Sequence, residues 1–127
     1  IKLPPYRVPP LKRQIIAEKV AEMIQNDLIE PSNSPFSAPV VLIPKKNGEW
    51  RFCVDYRQLN NITIKDAYPL PRVDDALDSL RANSFFSKLD MTKGYYQTPL
   101  AKEDREKTAF VTNNGLYHFK VMPYGLT

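Results

Sequence analysis

Apolar residues recur at three- and four-residue steps near the start of the chain. The set is Leu11, Ile15, Ile16, Val20, Met23, Ile24 and Leu28. This spacing places them on one face of a helix. Pro31 is expected to end that helix because proline has no N–H to continue the hydrogen-bonding pattern. The pattern therefore predicts an amphipathic helix over residues 11–30, after an extended, proline-rich lead-in.

Two short runs of strand-forming residues follow. Val40–Ile43 is β-branched and too short for a helix, and Trp50–Tyr56 is the next candidate strand. Between them lie Lys45, Lys46 and an Asn-Gly pair, which is typical of a tight hairpin turn. The sequence therefore predicts a β-hairpin that carries two lysines.

The second half of the chain predicts further helices and strands in alternation. The expected elements are a loop over 57–71, a helix over 72–82, a strand over 84–89, a turn into a helical segment over 90–96, and a hairpin pairing 107–111 with 116–121. Val73, Leu77 and Leu80 share one face of the second helix. Helices mixed with antiparallel strands place the chain in the α+β class.

Composition adds few restrictions. The 127 residues, 43% hydrophobic and 25% charged, fit one ordinary domain. No apolar run approaches the roughly 20 residues that cross a bilayer, so no membrane partner is expected. Cys53 is the only cysteine, which excludes an internal disulfide and favours a reducing, intracellular compartment. The net charge of +4 suits a phosphate-rich partner but is common elsewhere.

Asp90 is the strongest candidate for chemistry. It follows the predicted strand 84–89 at the point where the chain turns. Carboxylate oxygens are the ligands that Mg²⁺ prefers, although one aspartate is only part of such a site. An N-cap for the following helical segment is the alternative role.

Several longer motifs carry a family resemblance. Residues 86–97 read Phe86-Ser-Lys-Leu-Asp-Met-Thr-Lys-Gly-Tyr-Tyr-Gln, and residues 122–126 read Met-Pro-Tyr-Gly-Leu. Together with residues 25–48, 50–60 and 103–112, they resemble the reverse transcriptases of gypsy-type long-terminal-repeat retrotransposons. Retroviral enzymes are more distant relatives. The match covers nearly the whole chain, in order.

The resemblance implies a fold, an activity and partners. Residues 1–84 are expected to form mainly the fingers, and residues 85–127 the start of the palm, of a right-hand polymerase. The activity implied is DNA synthesis from deoxynucleoside triphosphates on an RNA or DNA primer-template. The implied parent protein is a retrotransposon pol polyprotein, located in cytoplasmic virus-like particles and the nucleus. The rest of the palm, the thumb and the ribonuclease H region lie outside this segment, which alone is expected to be inactive.

The resemblance also assigns roles around Asp90. Asp90 matches the first of three carboxylates that hold two Mg²⁺ (or Mn²⁺) ions, and the backbone carbonyl of Met91 faces a metal. Lys93 and Gly94 match positions whose backbone N–H groups meet the triphosphate. Tyr95 matches the aromatic gate that excludes a 2′-hydroxyl, although a core aromatic is the ordinary alternative.

Further assignments concern the fingers and the C-terminal turn. Arg51 matches an arginine that clamps the triphosphate, and Lys46, or adjacent Lys45, matches a lysine at the γ-phosphate. Lys45 is otherwise a template contact, as is Arg57. Tyr124 matches a nucleotide-contacting position.

Each of these side chains has an ordinary alternative. The Lys-Lys pair suits a solvated hairpin, and Arg57 is equally suited to an ion pair with Asp55. His118 has no ligand-type neighbour at metal-binding spacing and is interpreted as a strand residue.

Two rival functions stay open on the sequence. One is a nucleic-acid-binding remnant of such an enzyme that has lost catalysis. The other is a structural or interaction domain with a basic surface, in which Asp90 caps a helix and Tyr95 lies in the core.

Overall fold

The computed structural model describes residues 1–127 and is α+β, as predicted. Its helices and strands are α1 (Pro10–Gln25), β1 (Ile29–Pro31), β2 (Ala38–Pro44), β3 (Trp50–Val54), α2 (Arg57–Ile62), α3 (Val73–Ser79), β4 (Phe110–Thr112) and β5 (Gly115–Phe119). Two 3₁₀ helices span Gly94–Gln97 and Lys102–Thr108. No helix has the length and apolar character that crossing a bilayer requires.

The five strands form one sheet in the order β1-β5-β4-β2-β3. Three of the pairings are antiparallel: β2 with β3, β5 with β1, and β5 with β4. The fourth, between β2 and β4, is parallel. The parallel pair places Ala38 opposite Phe110. This pairing joins the two predicted hairpins into a single sheet.

Both hairpins are confirmed; β2 is longer than predicted, and the other three strands are shorter. In the first, the Lys45 N–H donates to the Glu49 carbonyl at 2.8 Å, and Gly48 adopts a φ of 82° that favours glycine. In the second, Phe110 pairs with Tyr117. Residues 107 and 108 end a 3₁₀ helix, so this strand starts later than expected.

The first helix ends earlier than predicted, at Gln25. The Leu28 N–H donates to the Met23 carbonyl and the Asp27 N–H to the Ile24 carbonyl, both at 3.0 Å. Asp27 has a left-handed φ of 58°. These bonds form a Schellman motif, which satisfies the last carbonyls and turns the chain. Pro31 therefore ends β1, and the prediction that it ends the helix is wrong.

The core lies between α1 and the sheet. Its eight buried members are Ile16, Val20, Met23, Ile29, Val40, Leu42, Phe110 and Phe119. The ring centroid of Phe110 lies 5.3 Å from that of Phe119 and 5.6 Å from that of Phe52. α1 is thus fixed against the sheet by three of its side chains.

His118 lies in β5, as predicted, and links that strand to β1. Its ring nitrogens lie 2.7 Å from the Ser32 hydroxyl and 2.8 Å from the Glu30 carboxylate. The hydrogen bond from His118 is the main cause that lowers the pKa of Glu30. This network gives the histidine a structural role in joining β5 to the edge strand β1.

The helix predicted over 72–82 is present as the shorter α3, and its apolar face is exposed, with 74% of Val73 and 60% of Leu77 accessible. Two other predictions between residues 57 and 91 are wrong. Residues 57–62 form α2 where a loop was expected. Residues 84–89 form no strand. A strand needs a neighbour for its backbone groups, and no other strand of these 127 residues lies beside this segment.

Candidate functional site

A groove of about 490 Å³ lies between α1, β3 and two turns in the C-terminal part of the chain. We call it the α1–β3 groove. Its lining residues are Lys19, Glu22, Met23, Asn26, Leu28, Lys45, Trp50, Arg51, Phe52, Cys53, Lys93, Tyr96 and Tyr124. Four of the predicted site residues meet here: Lys45, Arg51, Lys93 and Tyr124.

β3 supplies one wall of the groove. Its Phe52 ring packs edge-on against buried Phe110, which anchors the strand to the core. Trp50 packs against the core as well, and the Lys12 ammonium lies 5.0 Å from its ring centroid, at cation–π distance. Arg51 is exposed and forms no ion pair, so its guanidinium is free to bind an anion.

The groove is cationic. Lys19, Lys45, Arg51 and Lys93 line it, with Glu22 as the one acidic lining residue. Lys45 pairs with Glu49 at 3.0 Å, and its hydrogen bond is the main cause that lowers the pKa of that carboxyl. Net positive charge in a concave surface attracts anions.

Tyr96 and Tyr124 line the C-terminal side of the groove, and Tyr95 lies beside Tyr124, outside the lining. The ring centroid of Tyr124 lies 5.0 Å from that of Tyr95 and 5.1 Å from that of Tyr96. Burial, and to a smaller extent Tyr124, raises the pKa of Tyr96 to about 12. Tyr95 and Tyr124 are about half exposed, so both rings are accessible to a ligand.

Hydrogen bonds from distant segments hold these turns. The Asn60 side-chain amide donates to the Gly125 carbonyl at 2.7 Å and accepts from the Thr127 N–H. The Met122 N–H donates to the Thr98 carbonyl. The unpredicted helix α2 therefore helps to position Tyr124.

Lys93 adopts a left-handed φ of 49° immediately before the short 3₁₀ helix. For a residue other than glycine this conformation costs about 1–2 kcal/mol. Its carbonyl accepts the Tyr96 N–H at 2.9 Å, which helps to hold the turn. Gly94 follows, and an added Cβ there meets only the Met91 Cβ at 3.5 Å, an ordinary contact.

Asp90 and Met91 lie on an exposed segment outside the groove. Asp90 does not follow a strand, which corrects the prediction. It takes part in none of the ion pairs, and the N-cap of the following 3₁₀ helix is Lys93. Its carboxylate is therefore exposed and not engaged in capping.

Lys46 and Arg57 also lie outside the groove. Lys46 is exposed in the β2–β3 turn, next to the groove-lining Lys45. Arg57 is bound to Asp55 through two side-chain hydrogen bonds of 2.8 and 2.6 Å, and its own side chain is 82% exposed. The ion pair considered from the sequence is thus present.

Asp55 is expected to contribute to stability in a pH-dependent way. It also accepts hydrogen bonds from the Arg57 N–H and the Tyr6 hydroxyl, and the Arg57 side chain is the main cause that lowers its carboxyl pKa well below 3.8. Because the folded-state pKa is depressed, the stabilisation is complete above the unfolded value and is lost as the pH falls through the folded value. Asp55→Asn should cost about 1–3 kcal/mol of unfolding free energy at neutral pH.

Urea unfolding at pH 7 and at about pH 2 measures this difference. The difference in unfolding free energy between Asp55→Asn and the unmodified chain should be smaller at the lower pH. Asp78→Asn, which removes an exposed pair with Arg81, serves as the control and should change stability by under about 0.5 kcal/mol. An equal gap at both pH values contradicts the assigned role.

Sequence reasoning missed the contribution of α1 to the groove. Lys19, Glu22, Met23 and Asn26 line it, and they share one helical face by their three- and four-residue spacing. The sequence shows that these four residues share one helical face. It does not show which strand lies against that face. Cys53 also lines the groove, and burial raises the pKa of its thiol.

Comparison with known proteins gives close sequence relatives. The chain is 39% identical to the Pol polyprotein of transposon 412 and 38% identical to that of transposon gypsy, both from Drosophila melanogaster. These matches cover 95% and 87% of the chain. The chain spans about a tenth of the length of these curated relatives.

Solved structures share the fold. The protease–reverse transcriptase of prototype foamy virus matches 99% of the chain with a TM-score of 0.82 and 24% sequence identity. The match covers 17% of that chain. The family model described as reverse transcriptase (RNA-dependent DNA polymerase) matches residues 43–127, which include β3, Asp90 and the three tyrosines Tyr95, Tyr96 and Tyr124. The chain therefore belongs to the reverse transcriptase family.

Proposed function

We propose that this chain is the nucleotide-binding front of a polymerase that synthesises DNA on an RNA or DNA template, within a retrotransposon Pol polyprotein. The observation that carries the proposal is the α1–β3 groove, in which Lys45, Arg51, Lys93 and Tyr124 meet. Family membership supplies the reaction class, and the groove supplies cations and an aromatic ring for a nucleotide. In the reaction a primer 3′-hydroxyl attacks the α-phosphate, and pyrophosphate leaves.

The cations of the groove are assigned to the triphosphate. The planar guanidinium of Arg51 suits two phosphate oxygens at once, and its lack of an ion-pair partner supports this role. Lys45 lines the groove, and this position favours it over Lys46 as the lysine that contacts the phosphates. Lys46 lies in the hairpin turn and could reach a phosphate only if that turn moved. The backbone N–H groups of Lys93 and Gly94 complete this proposed set.

Tyr95 is the proposed gate against ribonucleotides. Its ring is accessible and packs edge-on against Tyr124, so its position is fixed by a second aromatic side chain. A ring fixed under the sugar leaves no space for a 2′-hydroxyl. Tyr124 then contacts the same nucleotide by packing.

The reverse transcriptase family uses divalent metal ions, but the residues of this chain do not form a complete metal site. No group of three or more His, Cys, Asp or Glu side chains is placed to hold a metal. We propose that Asp90, with the Met91 carbonyl, supplies part of a site for two Mg²⁺ ions whose remaining ligands lie elsewhere in the polymerase. When bound, such ions stabilise charge that develops on phosphate oxygens.

The remaining partner is the primer-template. The net charge of +4 suits nucleic acid, and Arg57 is proposed to lie near the template backbone while it stays paired with Asp55. A non-catalytic nucleic-acid-binding remnant would share this surface. The cytoplasmic particle and the nucleus are the proposed locations.

Arg51→Ala tests the proposal in the full-length polymerase that carries this segment. Removing charge-assisted hydrogen bonds worth about 1.5–3 kcal/mol should raise the KM for the deoxynucleoside triphosphate about tenfold to hundredfold. Steady-state primer extension at varied nucleotide concentration gives the value. Folding should be unaffected because Arg51 is exposed.

Arg81→Ala is the matched control. Arg81 is also exposed, pairs only with Asp78 and lies outside the groove. The KM of the Arg81→Ala variant for the deoxynucleoside triphosphate should stay within about twofold of that of the unmodified enzyme, because an exposed ion pair contributes little free energy. Equal KM values for the Arg51 and Arg81 variants contradict the assignment of Arg51.

A further inference from the structure

One wall of the α1–β3 groove has no role in the proposed function. It consists of Lys19, Glu22, Met23 and Asn26, at successive positions on one face of α1. Met23 is buried in the core, and the Schellman motif ends the helix three residues later. The wall is therefore rigidly placed, and its polar side chains face a cavity that is also lined by Arg51 of β3 and Lys45 of the β2–β3 turn.

Lys19 is the residue of this wall best suited to bind an anion. Its ammonium lies 3.4 Å from the Glu22 carboxylate, and both side chains are substantially exposed. An exposed ion pair of this kind contributes little and is easily exchanged for a better partner. Lys19 also helps, after Lys45 and Asn47, to lower the pKa of Glu49 in the hairpin, so its charge acts across the groove.

The shape of the groove restricts the anion. A volume of about 490 Å³ lies within the range of about 300–1,000 Å³ that is usual for small-molecule sites. It fits one nucleotide and is too small for a duplex. The rings of Trp50, Tyr96 and Tyr124 offer surfaces for a sugar or base. The cations around them come from α1, from the β2–β3 hairpin and from the turn before the first 3₁₀ helix.

We propose that Lys19 is a further nucleotide-binding residue, which contacts a phosphate of the bound triphosphate from α1 while Arg51 contacts it from β3. This inference rests on the proposed role of the groove in nucleotide binding. Lys19 pairs with Glu22 in this structure, and a phosphate replaces that carboxylate as its partner when the ligand binds. The amide of Asn26, one helical turn further along, lies on the same wall.

Trp50 provides a local readout. It is the only tryptophan of the chain and lines the groove, so its fluorescence reports on ligands bound there. Inorganic triphosphate is the probe because it does not absorb at the excitation wavelength and carries no base. The 127-residue chain is titrated at fixed ionic strength in unmodified form and as Lys19→Gln, Lys19→Arg, Lys102→Gln and Arg51→Ala.

Lys19→Gln should weaken triphosphate binding about five- to tenfold, the scale of one charge-assisted contact, and Lys19→Arg should restore most of the affinity. Lys102→Gln, a change at an exposed lysine with no ion pair and no place in the groove, should leave affinity within about twofold. Lys19 is only partly buried, with 41% of its side chain accessible, and far-ultraviolet circular dichroism checks that each variant is folded.

Three results overturn the inference, and they differ in what else they contradict. Unchanged affinity in Lys19→Gln, with a clear loss in Arg51→Ala, removes the α1 contact and leaves the proposed function standing. Absence of any triphosphate response in the unmodified chain contradicts both. A Lys19→Gln variant that loses affinity for a single-stranded oligothymidylate but not for triphosphate shows that nucleic acid, not the nucleotide, is the ligand of this wall.

Discussion

Asp90→Asn is expected to abolish primer extension by the full-length polymerase, with a fall in rate of at least about 1,000-fold, equivalent to several kcal/mol of transition-state stabilisation. Asparagine keeps the size of the side chain but removes the negative charge that a divalent cation needs. The fold should not change, because Asp90 is exposed and takes part in no ion pair. Single-turnover extension of a labelled primer measures the rate.

Asp75→Asn is the matched control for this experiment. Asp75 is also an exposed aspartate without an ion pair, placed in the first turn of α3. Its replacement loses only a favourable interaction with the helix dipole, about 0.3–1 kcal/mol of stability. Primer extension by this variant should match the unmodified enzyme. Comparable extension by Asp90→Asn contradicts the assignment of this carboxylate.

Phe110→Ala should cause the largest loss of stability in the chain, about 3–5 kcal/mol. Phe110 has no exposed surface and lies between Phe52, Tyr117 and Phe119. It also lies in β4, which joins the two halves of the sheet through its parallel pairing with β2. Removing the ring therefore leaves a cavity at the centre of the sheet. Urea denaturation gives the change in unfolding free energy.

Phe85→Ala removes the same ring from an exposed position and is the comparison. Because 96% of Phe85 is accessible, its loss should change stability by under about 0.5 kcal/mol. A cost below about 1 kcal/mol for Phe110→Ala shows that the core is not centred on this ring. Losses of similar size in the two variants lead to the same conclusion.

Local signals account for the elements that were predicted correctly. The Asn-Gly turn at Asn47 and the Asn113-Asn114-Gly115 turn each specify a reversal within a few residues, so both hairpins could be placed from the sequence. The end of α1 could not, because the Schellman motif uses Asp27 in place of the usual glycine. The apolar residue Leu28 continued the helical pattern beyond the true helix end.

The errors between residues 57 and 91 have a different origin. Apolar runs such as Phe85–Leu89 predict burial, but burial needs a partner surface, and no such surface covers this segment or the apolar face of α3. Periodicity reports which face could be buried, not whether another element covers it. α2 was missed because a six-residue helix has little periodic pattern to detect.

The candidate site was predictable in part. The resemblance identified Arg51, Lys93 and Tyr124 one by one, and the structure brings these three together in one groove. The choice between Lys45 and Lys46 depended on the geometry of the hairpin, which the sequence does not specify. The α1 wall depended on which strand packs beside the helix, a long-range property of the sheet. The sequence therefore identified individual site residues, but it did not predict which of them lie together in the groove.

Template-dependent addition of one nucleotide is the most direct test of the central claim, that this segment belongs to a DNA-synthesising polymerase. The full-length polymerase is given a primer-template with one unpaired template base, as RNA or as DNA, with Mg²⁺ and each deoxynucleoside triphosphate separately. The account predicts extension by one residue only with the complementary nucleotide, on both templates. A folded enzyme that binds the primer-template but adds no nucleotide, or adds all four equally, contradicts it.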